Sequence, residues 1–248
     1  MLRHRARAPY FSEIFPAVYS LEDRERKART ILAVLRDFLK KDPSGALLDI
    51  GASTGAIAHY LAHWFDEVIG VDVDRSALQF AQQNFKKSNL GFGLVDGTHL
   101  PFRDGNFDVV TCTHIYEHVT DPESLLREIR RVLKPGGLCY FAAGNRLWPV
   151  EFHYRLLFLG WLPPAMSNRY LKLSGLGETY DIRLLTLWSL RSLVKRFSVV
   201  DYTPKMLQDP AAFDVEYMLP AGSLTQRLAM MLVKFAYWLF PTYIWILH

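Results

Sequence analysis

The chain of 248 residues contains only two cysteines, Cys112 and Cys139, and they do not form a Cys-x-x-Cys pair. This scarcity excludes a disulfide framework and a cysteine-based zinc cluster, and it fits a reducing compartment. We predict no metal centre from the sequence. The chain opens with charged residues and lacks the apolar core of a signal peptide, so we expect a cytoplasmic location, with the inner face of a membrane as an alternative.

Two phosphate-binding patterns are also missing. The sequence has no GxxxxGK[ST] segment and no GxGxxG segment, which excludes a P-loop and disfavours a dinucleotide-binding oxidoreductase. The formal net charge of +4 is too small to indicate nucleic acid, and we predict no nucleic-acid partner. The basic stretch LRHRAR (2–7) is either a solvated tail or a contact for anionic lipid headgroups.

Short apolar segments alternate with longer amphipathic segments between residues 22 and 143. The apolar segments have strand length, and the amphipathic ones repeat their apolar positions at helical spacing. The predicted strands are 46–50, 67–74, 92–97, 107–112 and 138–143, and the predicted helices are 22–41, 54–65, 75–87 and 122–133. This alternation predicts an α/β fold with a mostly parallel, Rossmann-like sheet covered by helices on both faces.

An aromatic-rich insertion, 144–183, interrupts the alternation after the fifth strand. A helix near 186–196 and a sixth strand, 197–202, follow it. Ligands of open α/β sheets bind beyond the carboxyl ends of the strands, so we expect the insertion to lie over that edge as a lid. Its many bulky apolar side chains favour a hydrophobic or lipid-like acceptor.

The C-terminal segment is nearly free of charge from residue 228 to residue 247, with Lys234 and Pro241 as interruptions. Its length matches a bilayer core, but a lysine and a proline both weaken a spanning helix. Three interpretations stay open: an in-plane membrane anchor, an apolar helix packed on the domain or on a partner subunit, and a true span. A peripheral membrane contact through 224–248 and an oligomer are both compatible with this segment.

A glycine turn follows the first strand, where the sequence reads LLDIGASTG. Gly51 and Gly55 allow a ligand to approach the backbone closely, and the following helix start offers unpaired N–H groups. Three acids end the first three strands: Asp49, Asp72 and Asp96. They would face a positive group, a ribose and an exocyclic amino group such as that of adenine. Together they favour a cofactor with these three parts and no phosphate.

The ordered segments LLDIGASTG, VIGVDVD and VDGTHLPFRDGNFDVVTCTHIYEHVTDPESLLREIRRVLKPGG resemble the motifs of class I S-adenosylmethionine-dependent methyltransferases. The resemblance spans about residues 45–143 and extends, with less similarity, over 184–203. It points to the small-molecule subgroup that includes the ubiquinone and menaquinone C-methyltransferases. It implies S-adenosyl-L-methionine as cofactor. It also implies a seven-stranded sheet, typically with the last strand antiparallel, whereas six strands can be placed from the sequence.

The resemblance assigns cofactor-binding roles to eight residues of this chain, and we add Ser53 as a ninth candidate. The eight are Asp49, Gly51 and Gly55 near the methionine part, Asp72 at the ribose, Val73, Asp96 and Gly97 at the adenine, and His114 at the methyl-transfer mouth. The family often has a third glycine at the position of Ser53. Serine is small enough to allow close approach, and its hydroxyl could contact the ligand.

Methyl transfer from a sulfonium requires alignment of the acceptor and exclusion of water, and a base only if the acceptor must lose a proton. The candidate catalytic residues are His114, Glu117, His118 and His153, with Glu151 and Asp181 as further acids in the insertion. In the alternative interpretation, the first three residues line the mouth. The polar groups of the insertion are then solvated tips of a packed lid.

We divide the chain into a basic N-terminal tail (1–21), a methyltransferase domain (22–203) and an apolar C-terminal segment (204–248). The main hypothesis is a methyltransferase acting at O or C of a small, hydrophobic or lipid-linked acceptor. A non-catalytic S-adenosylmethionine-binding subunit tethered at a membrane is the alternative, and measurable turnover of S-adenosylmethionine would exclude it.

Overall fold

The computed structural model describes residues 11–248, so the basic stretch 2–7 lies outside the described residues. The strands are β1 (Ala46–Ile50), β2 (Glu67–Asp72), β3 (Leu90–Leu94), β4 (Phe107–Thr113), β5 (Leu133–Gly144), β6 (Val199–Asp201) and β7 (Thr242–Leu247). The helices are α1 (Phe11–Ile14), α2 (Leu21–Leu39), α3 (Ala56–Leu61), α4 (Arg75–Asn84), α5 (Pro122–Val132), α6 (Pro164–Leu173), α7 (Leu187–Leu193), α8 (Thr203–Gln208) and α9 (Leu224–Ala236).

The seven strands form one sheet in the order β3-β2-β1-β4-β5-β7-β6. Pairs from β3 to β5 are parallel, whereas β7 runs antiparallel to both β5 and β6. The predicted fold class, a Rossmann-like and mostly parallel sheet of seven strands, is therefore confirmed. Chain order reverses between β1 and β4, and ligands of such sheets bind beyond the carboxyl ends of the strands at this position.

Helices cover both faces of the sheet because side chains of each strand alternate between the faces. Leu47 packs in a core cluster with α2 and α3, while Leu48 and Ile50 pack in a second cluster with α5 and α7. Burial of each such side chain contributes about 1.5–3 kcal/mol.

The C-terminal segment differs from the prediction of an apolar C-terminal helix. The chain forms α9 and a short 3-10 turn (Tyr237–Leu239), and residues 242–247 then form β7. Tyr243 and Trp245, which are residue types that favour a membrane interface, are buried in the sheet between β5 and β6. The single apolar helix is therefore not confirmed. Across residues 11–248, none of the helices combines the length and the apolar character needed to cross a bilayer.

Residues 12–18 and the insertion 144–183 both lie near the carboxyl edge of the sheet. The main-chain N–H of Ser12 donates to Asp74 Oδ2 at 2.9 Å, just after β2. Thr54 Oγ1, in the turn after β1, donates to the main-chain oxygen of Val18 at 3.0 Å. The ring of Phe15 packs against that of His153 in the insertion, with 5.8 Å between centroids. Both segments thus cover the edge at which the candidate site residues lie.

Candidate functional site

Asp49, near the carboxyl end of β1, is almost fully buried, with 2% of its surface exposed. Its Oδ1 accepts a hydrogen bond from Thr111 Oγ1 at 2.6 Å, whereas Oδ2 has no partner among the described residues. Burial, together with the charge of Asp72, raises the pKa of Asp49 to about 7, although the Thr111 hydrogen bond opposes this rise. A buried oxygen without a partner costs about 1–3 kcal/mol, so Asp49 is suited to a ligand that brings a cation or an N–H donor.

The two glycines of the turn after β1 each avoid overlap with a different set of neighbouring side chains. Gly51 has φ +77°, and a Cβ at this position would overlap the side chain of Ile115. Gly55 has φ +78°, and a Cβ there would lie 2.7 Å from Ala81 Cβ and from the ring of Phe92. Close packing of the start of α3 against α4 and β3 therefore accounts for Gly55 without a ligand.

Asp72, the last residue of β2, holds the glycine turn by backbone hydrogen bonds. Ser53 N–H donates to Asp72 Oδ2 at 2.7 Å, and Asp74 N–H donates to Oδ1 at 2.8 Å. Burial raises the pKa of Asp72 above its ordinary value despite these hydrogen bonds. A third backbone hydrogen bond comes from Val73, and the carboxylate, with about four lone-pair sites, keeps one that can accept from a hydroxyl group of a ligand.

Ser53 has a backbone conformation that is rare for a residue with a side chain. Its φ of +49° lies in the left-handed region, which costs a non-glycine residue about 1–2 kcal/mol. Glycine adopts this conformation without that cost. Glycine would therefore be less strained than serine at this position.

The residues predicted for the adenine follow β2 and β3. Val73 exposes 57% of its surface, so an apolar side chain is open at the end of a buried strand. Asp96 is exposed, and its Oδ1 accepts the N–H and the hydroxyl of Thr98, both at 2.8 Å. Gly97 is buried, and a Cβ there would lie 2.8 Å from Ile50 Cγ2. An apolar surface and a carboxylate on neighbouring loops can bind a flat ring that carries an amino group.

His114 and Glu117 form a pair just after β4. His114 has φ +56°, and its N–H donates to the main-chain oxygen of Ala142 at 2.9 Å. Its Nδ1 lies 3.2 Å from Oε1 of Glu117, which has 1% of its surface exposed. Burial would raise the pKa of Glu117, but the hydrogen bond and charge of His114, with the charge of His118, keep it below the ordinary value. Glu117 is therefore a carboxylate, and its Oε2 has no partner within residues 11–248.

The insertion brings His153 to His118. Their rings are perpendicular, with 5.1 Å between centroids. Nδ1 of His153 lies 2.7 Å from Oε1 of the buried Glu151, whose Oε2 accepts the N–H groups of His153 and Tyr154 at 2.9 and 2.8 Å. Partial burial lowers the pKa of His118, although the charge of Glu117 opposes this. His118 is consequently a neutral imidazole at neutral pH.

All four candidate catalytic side chains thus lie in one cluster at the carboxyl end of β4: His114, Glu117, His118 and His153. Asp181 is exposed and acts on His118 through its charge.

Two further residues near Asp49 were not predicted. Thr111 donates to its carboxylate, and the charge of Arg24, on α2, favours its ionised form. Their contacts depend on strand register and on packing across the sheet, and no local sequence pattern reports either.

Comparison with known proteins agrees with this geometry. Residues 48–141 match the family described as a methyltransferase domain. Over 145 residues the chain is 34% identical to the ubiquinone/menaquinone biosynthesis C-methyltransferase of Desulfotalea psychrophila. This alignment covers 54% of this chain and 59% of the relative. It is 34% identical over 103 residues to the ubiquinone biosynthesis O-methyltransferase of Pectobacterium carotovorum, covering 40% of this chain and 43% of the relative. The chain thus spans about half the length of the curated relatives it matches.

A solved structure extends the fold comparison to nearly the whole chain. The plantazolicin methyltransferase BpumL, in complex with SAH, is 16% identical, with a TM-score of 0.60 over 95% of this chain and 88% of the other. These findings confirm the resemblance to the S-adenosylmethionine-dependent methyltransferases that the motifs indicated. The match to the methyltransferase domain family is confined to residues 48–141.

Proposed function

We propose that this chain binds S-adenosyl-L-methionine and transfers its methyl group to an oxygen or carbon atom of a small, hydrophobic or lipid-linked acceptor. The observation that carries this proposal is the buried Oδ2 of Asp49, which lacks a partner among the described residues. The ammonium group of the cofactor would supply the missing donor. A ribose hydroxyl would donate to Asp72, and the adenine amino group to Asp96, with Val73 packed on the ring.

When bound, S-adenosyl-L-methionine supplies a sulfonium methyl that is already activated for attack by a nucleophile. The chain's own residues then have to position the acceptor and exclude water from the site. A hydroxyl acceptor must also lose its proton, and His118 is neutral and therefore able to take it. The carboxylate of Glu117 would stabilise the imidazolium that results. An activated carbon acceptor has the same need for a base.

The nature of the acceptor is inferred from two findings. The relatives carry names that place them in ubiquinone or menaquinone biosynthesis, as C- and O-methyltransferases. In addition, the insertion leaves large apolar side chains open: Phe152, Leu157, Phe158, Trp161, Met166, Leu173 and Leu176 are exposed. Exposed apolar groups concentrated near a candidate site favour an apolar ligand or an apolar surface.

Helix α9 supports a peripheral membrane contact for reaching such an acceptor. Leu224, Leu228, Met231 and Phe235 follow one another at helical spacing, and the first and last of them each expose 72% of their surface. Exposed cationic residues, including Lys234, lie on the same helix. An apolar stripe with flanking positive charge is typical of a helix that lies in the interface of an anionic membrane. This proposal limits the contact to α9, because β7 belongs to the sheet.

Calorimetric titration with S-adenosylhomocysteine tests the cofactor assignment without requiring an acceptor. We expect the native chain to bind S-adenosylhomocysteine and not to bind NAD. Asp72→Asn should weaken binding at least tenfold, because it removes charge from two accepting oxygens. Asp66→Asn is the matched control, since this exposed acid receives Gly45 N–H at the opposite end of the sheet. Equal loss in both variants would contradict the assignment, and binding without any methyl turnover would favour the non-catalytic subunit.

Co-sedimentation with vesicles of anionic and neutral phospholipid tests the membrane contact. Because deletion of the C-terminal segment would also remove β7, point variants are needed. Phe235→Glu and Leu228→Glu should each reduce the bound fraction at least threefold, whereas Leu21→Glu, a similar change at an exposed position of α2, should not. If the native chain binds vesicles no better than Phe235→Glu, while light scattering shows a dimer, α9 contacts another subunit instead.

A further inference from the structure

A set of possible metal ligands lies at the mouth of the site, apart from the residues assigned to the cofactor. Glu117, His118 and His153 each offer one ligand atom, and these atoms all lie within 4.8 Å of one another. Two imidazole nitrogens and one carboxylate oxygen suit Zn²⁺ and other divalent first-row cations. Three protein ligands also leave a coordination position open for water or a substrate atom.

The distances require a small movement for metal binding. A tetrahedral Zn²⁺ with ligand bonds of about 2.0–2.1 Å holds its ligand atoms about 3.3 Å apart. The three groups would therefore have to approach one another by at most about 1.5 Å. His118 lies in the turn after β4, and His153 lies on the insertion rather than on the sheet, so rotation of the two rings can provide this approach.

Neighbouring carboxylate and imidazole groups already orient the ligands. Glu151 accepts from Nδ1 of His153 at 2.7 Å, so the neutral form of that ring carries its proton on Nδ1 and its lone pair on Nε2. The carboxylate of Glu151 is itself held by two main-chain N–H groups. A carboxylate that fixes a histidine tautomer in this way is the usual outer partner of a metal-binding histidine.

Glu117 provides an independent indication of a missing ligand. Its Oε1 is occupied by His114 Nδ1, whereas its Oε2 is buried and has no partner in the described part of the chain. A cation next to Oε2 would remove the cost of this unpaired oxygen. The same cation would connect the loop after β4 with the insertion.

We propose that Glu117 Oε2, a ring nitrogen of His118 and His153 Nε2 bind one divalent first-row transition-metal cation of the Zn²⁺ type at the mouth of the site. The fourth coordination position would be available to an acceptor hydroxyl. With His118 as a ligand, the cation and not His118 would activate an acceptor hydroxyl, which would lose its proton to solvent water more readily. The cation would also hold the insertion over the sheet edge, so that metal binding stabilises the fold.

Metal titration of the full chain, after dialysis against a chelator, tests this proposal independently of methyl transfer. We expect one Zn²⁺ per chain by calorimetry, and one Co²⁺ per chain with the visible absorption of a low-coordinate site. His153→Ala and Glu117→Gln should each weaken binding at least tenfold. Glu151→Gln should weaken it about 10–100-fold with the same stoichiometry, since it removes only the outer partner. His63→Ala, an exposed histidine on another part of the surface, should bind like the native chain.

Circular dichroism identifies any variant that fails to fold, and in that case His118→Ala is used in its place. A melting temperature that rises with Zn²⁺ in the native chain but not in His153→Ala is the second expected result. The proposal is overturned if the folded native chain does not bind Zn²⁺ or Co²⁺, or if His153→Ala and His63→Ala bind alike. Neither result affects the cofactor assignment, because S-adenosylhomocysteine binding is measured on the same metal-free protein.

Discussion

Replacement of Asp49 by asparagine should make the ligand-free protein more stable and its cofactor binding weaker. The pKa of Asp49 is about 7 in the folded chain, against an ordinary value of 3.8. Because the folded-state pKa is raised, the ionised carboxylate of Asp49 destabilises the folded chain. This destabilisation is absent below pH 4, where the carboxyl is protonated. This cost grows up to pH 7 and is constant above it. The difference of about 3 pKa units corresponds to about 4 kcal/mol at pH 8.

Asparagine has a similar shape, keeps an oxygen that can accept from Thr111, and carries no charge. Asp49→Asn should therefore raise the melting temperature of the ligand-free chain at pH 8, by an amount on the order of 10 °C for a protein of this size. At pH 4 the two proteins should melt at nearly the same temperature. Loss of a hydrogen bond to a charged group should weaken S-adenosylhomocysteine binding by about 1.5–3 kcal/mol, which is about 10–100-fold.

Thermal unfolding followed by circular dichroism, at pH 4 and pH 8 without ligand, measures the first effect, and calorimetry measures the second. Asp96→Asn is the control for stability, because Asp96 is exposed and the same chemical change there should leave the melting temperature unaltered. An Asp49→Asn chain that is no more stable than the native chain at pH 8 refutes the reasoning from burial. A chain that is more stable but binds ligand normally refutes the assigned contact with the ammonium group.

Three other expectations concern the same fold. Affinity for S-adenosylhomocysteine should fall about tenfold from pH 8 to pH 6 by calorimetry, because the ionised fraction of Asp49 falls by about that factor, and Asp49→Asn should show no such dependence. In urea unfolding, Gly51→Ala should lower the free energy of unfolding by about 1–3 kcal/mol, because the new Cβ overlaps Ile115. Gly136→Ala should lower it less, because Gly136 also has a positive φ but has open surroundings. Trp245→Ala should lower the free energy of unfolding by about 3–5 kcal/mol, because Trp245 is buried. Trp238→Ala should lower it by less than about 1 kcal/mol, because Trp238 is exposed.

The parallel part of the sheet follows closely from the sequence, because local patterns determine it. Strand β1 occupies the predicted residues 46–50, and helix α4 begins at the predicted Arg75. Each of these elements has an apolar pattern of its own period and a turn or cap residue at its boundary. Asp74, for example, accepts Ala77 N–H as the N-cap of α4.

The C-terminal segment was not predictable in the same way. A run of apolar residues such as 228–247 has no clear period, and it can form a helix, a membrane anchor or a buried strand. Residues 242–247 become β7 by pairing with β5 on one side and β6 on the other, and both of these strands lie far away in the sequence. Tyr243 and Trp245 are consequently core residues, although their residue types suggest an interface.

The candidate site shows the same division. The sequence identified Asp49, Asp72 and the histidines after β4 as separate candidates, because each follows a strand. The contact between His153 and His118 depends on the path of the whole insertion, and the unpaired oxygens of Asp49 and Glu117 depend on burial. No sequence pattern reports these features, and they are the ones that carry the proposals.

Transfer of a labelled methyl group tests the central proposal most directly. The full chain is incubated with S-adenosyl-L-methionine labelled in its methyl group and with an organic extract of cell lipids, and the products are partitioned. We predict label in the organic phase that depends on the protein and is lost in Asp72→Asn. A parallel incubation uses an aqueous cell extract in place of the lipid extract. The proposed transfer to a hydrophobic acceptor would be contradicted if label stays wholly in S-adenosyl-L-methionine. It would also be contradicted if label passes only to water-soluble products of the aqueous extract.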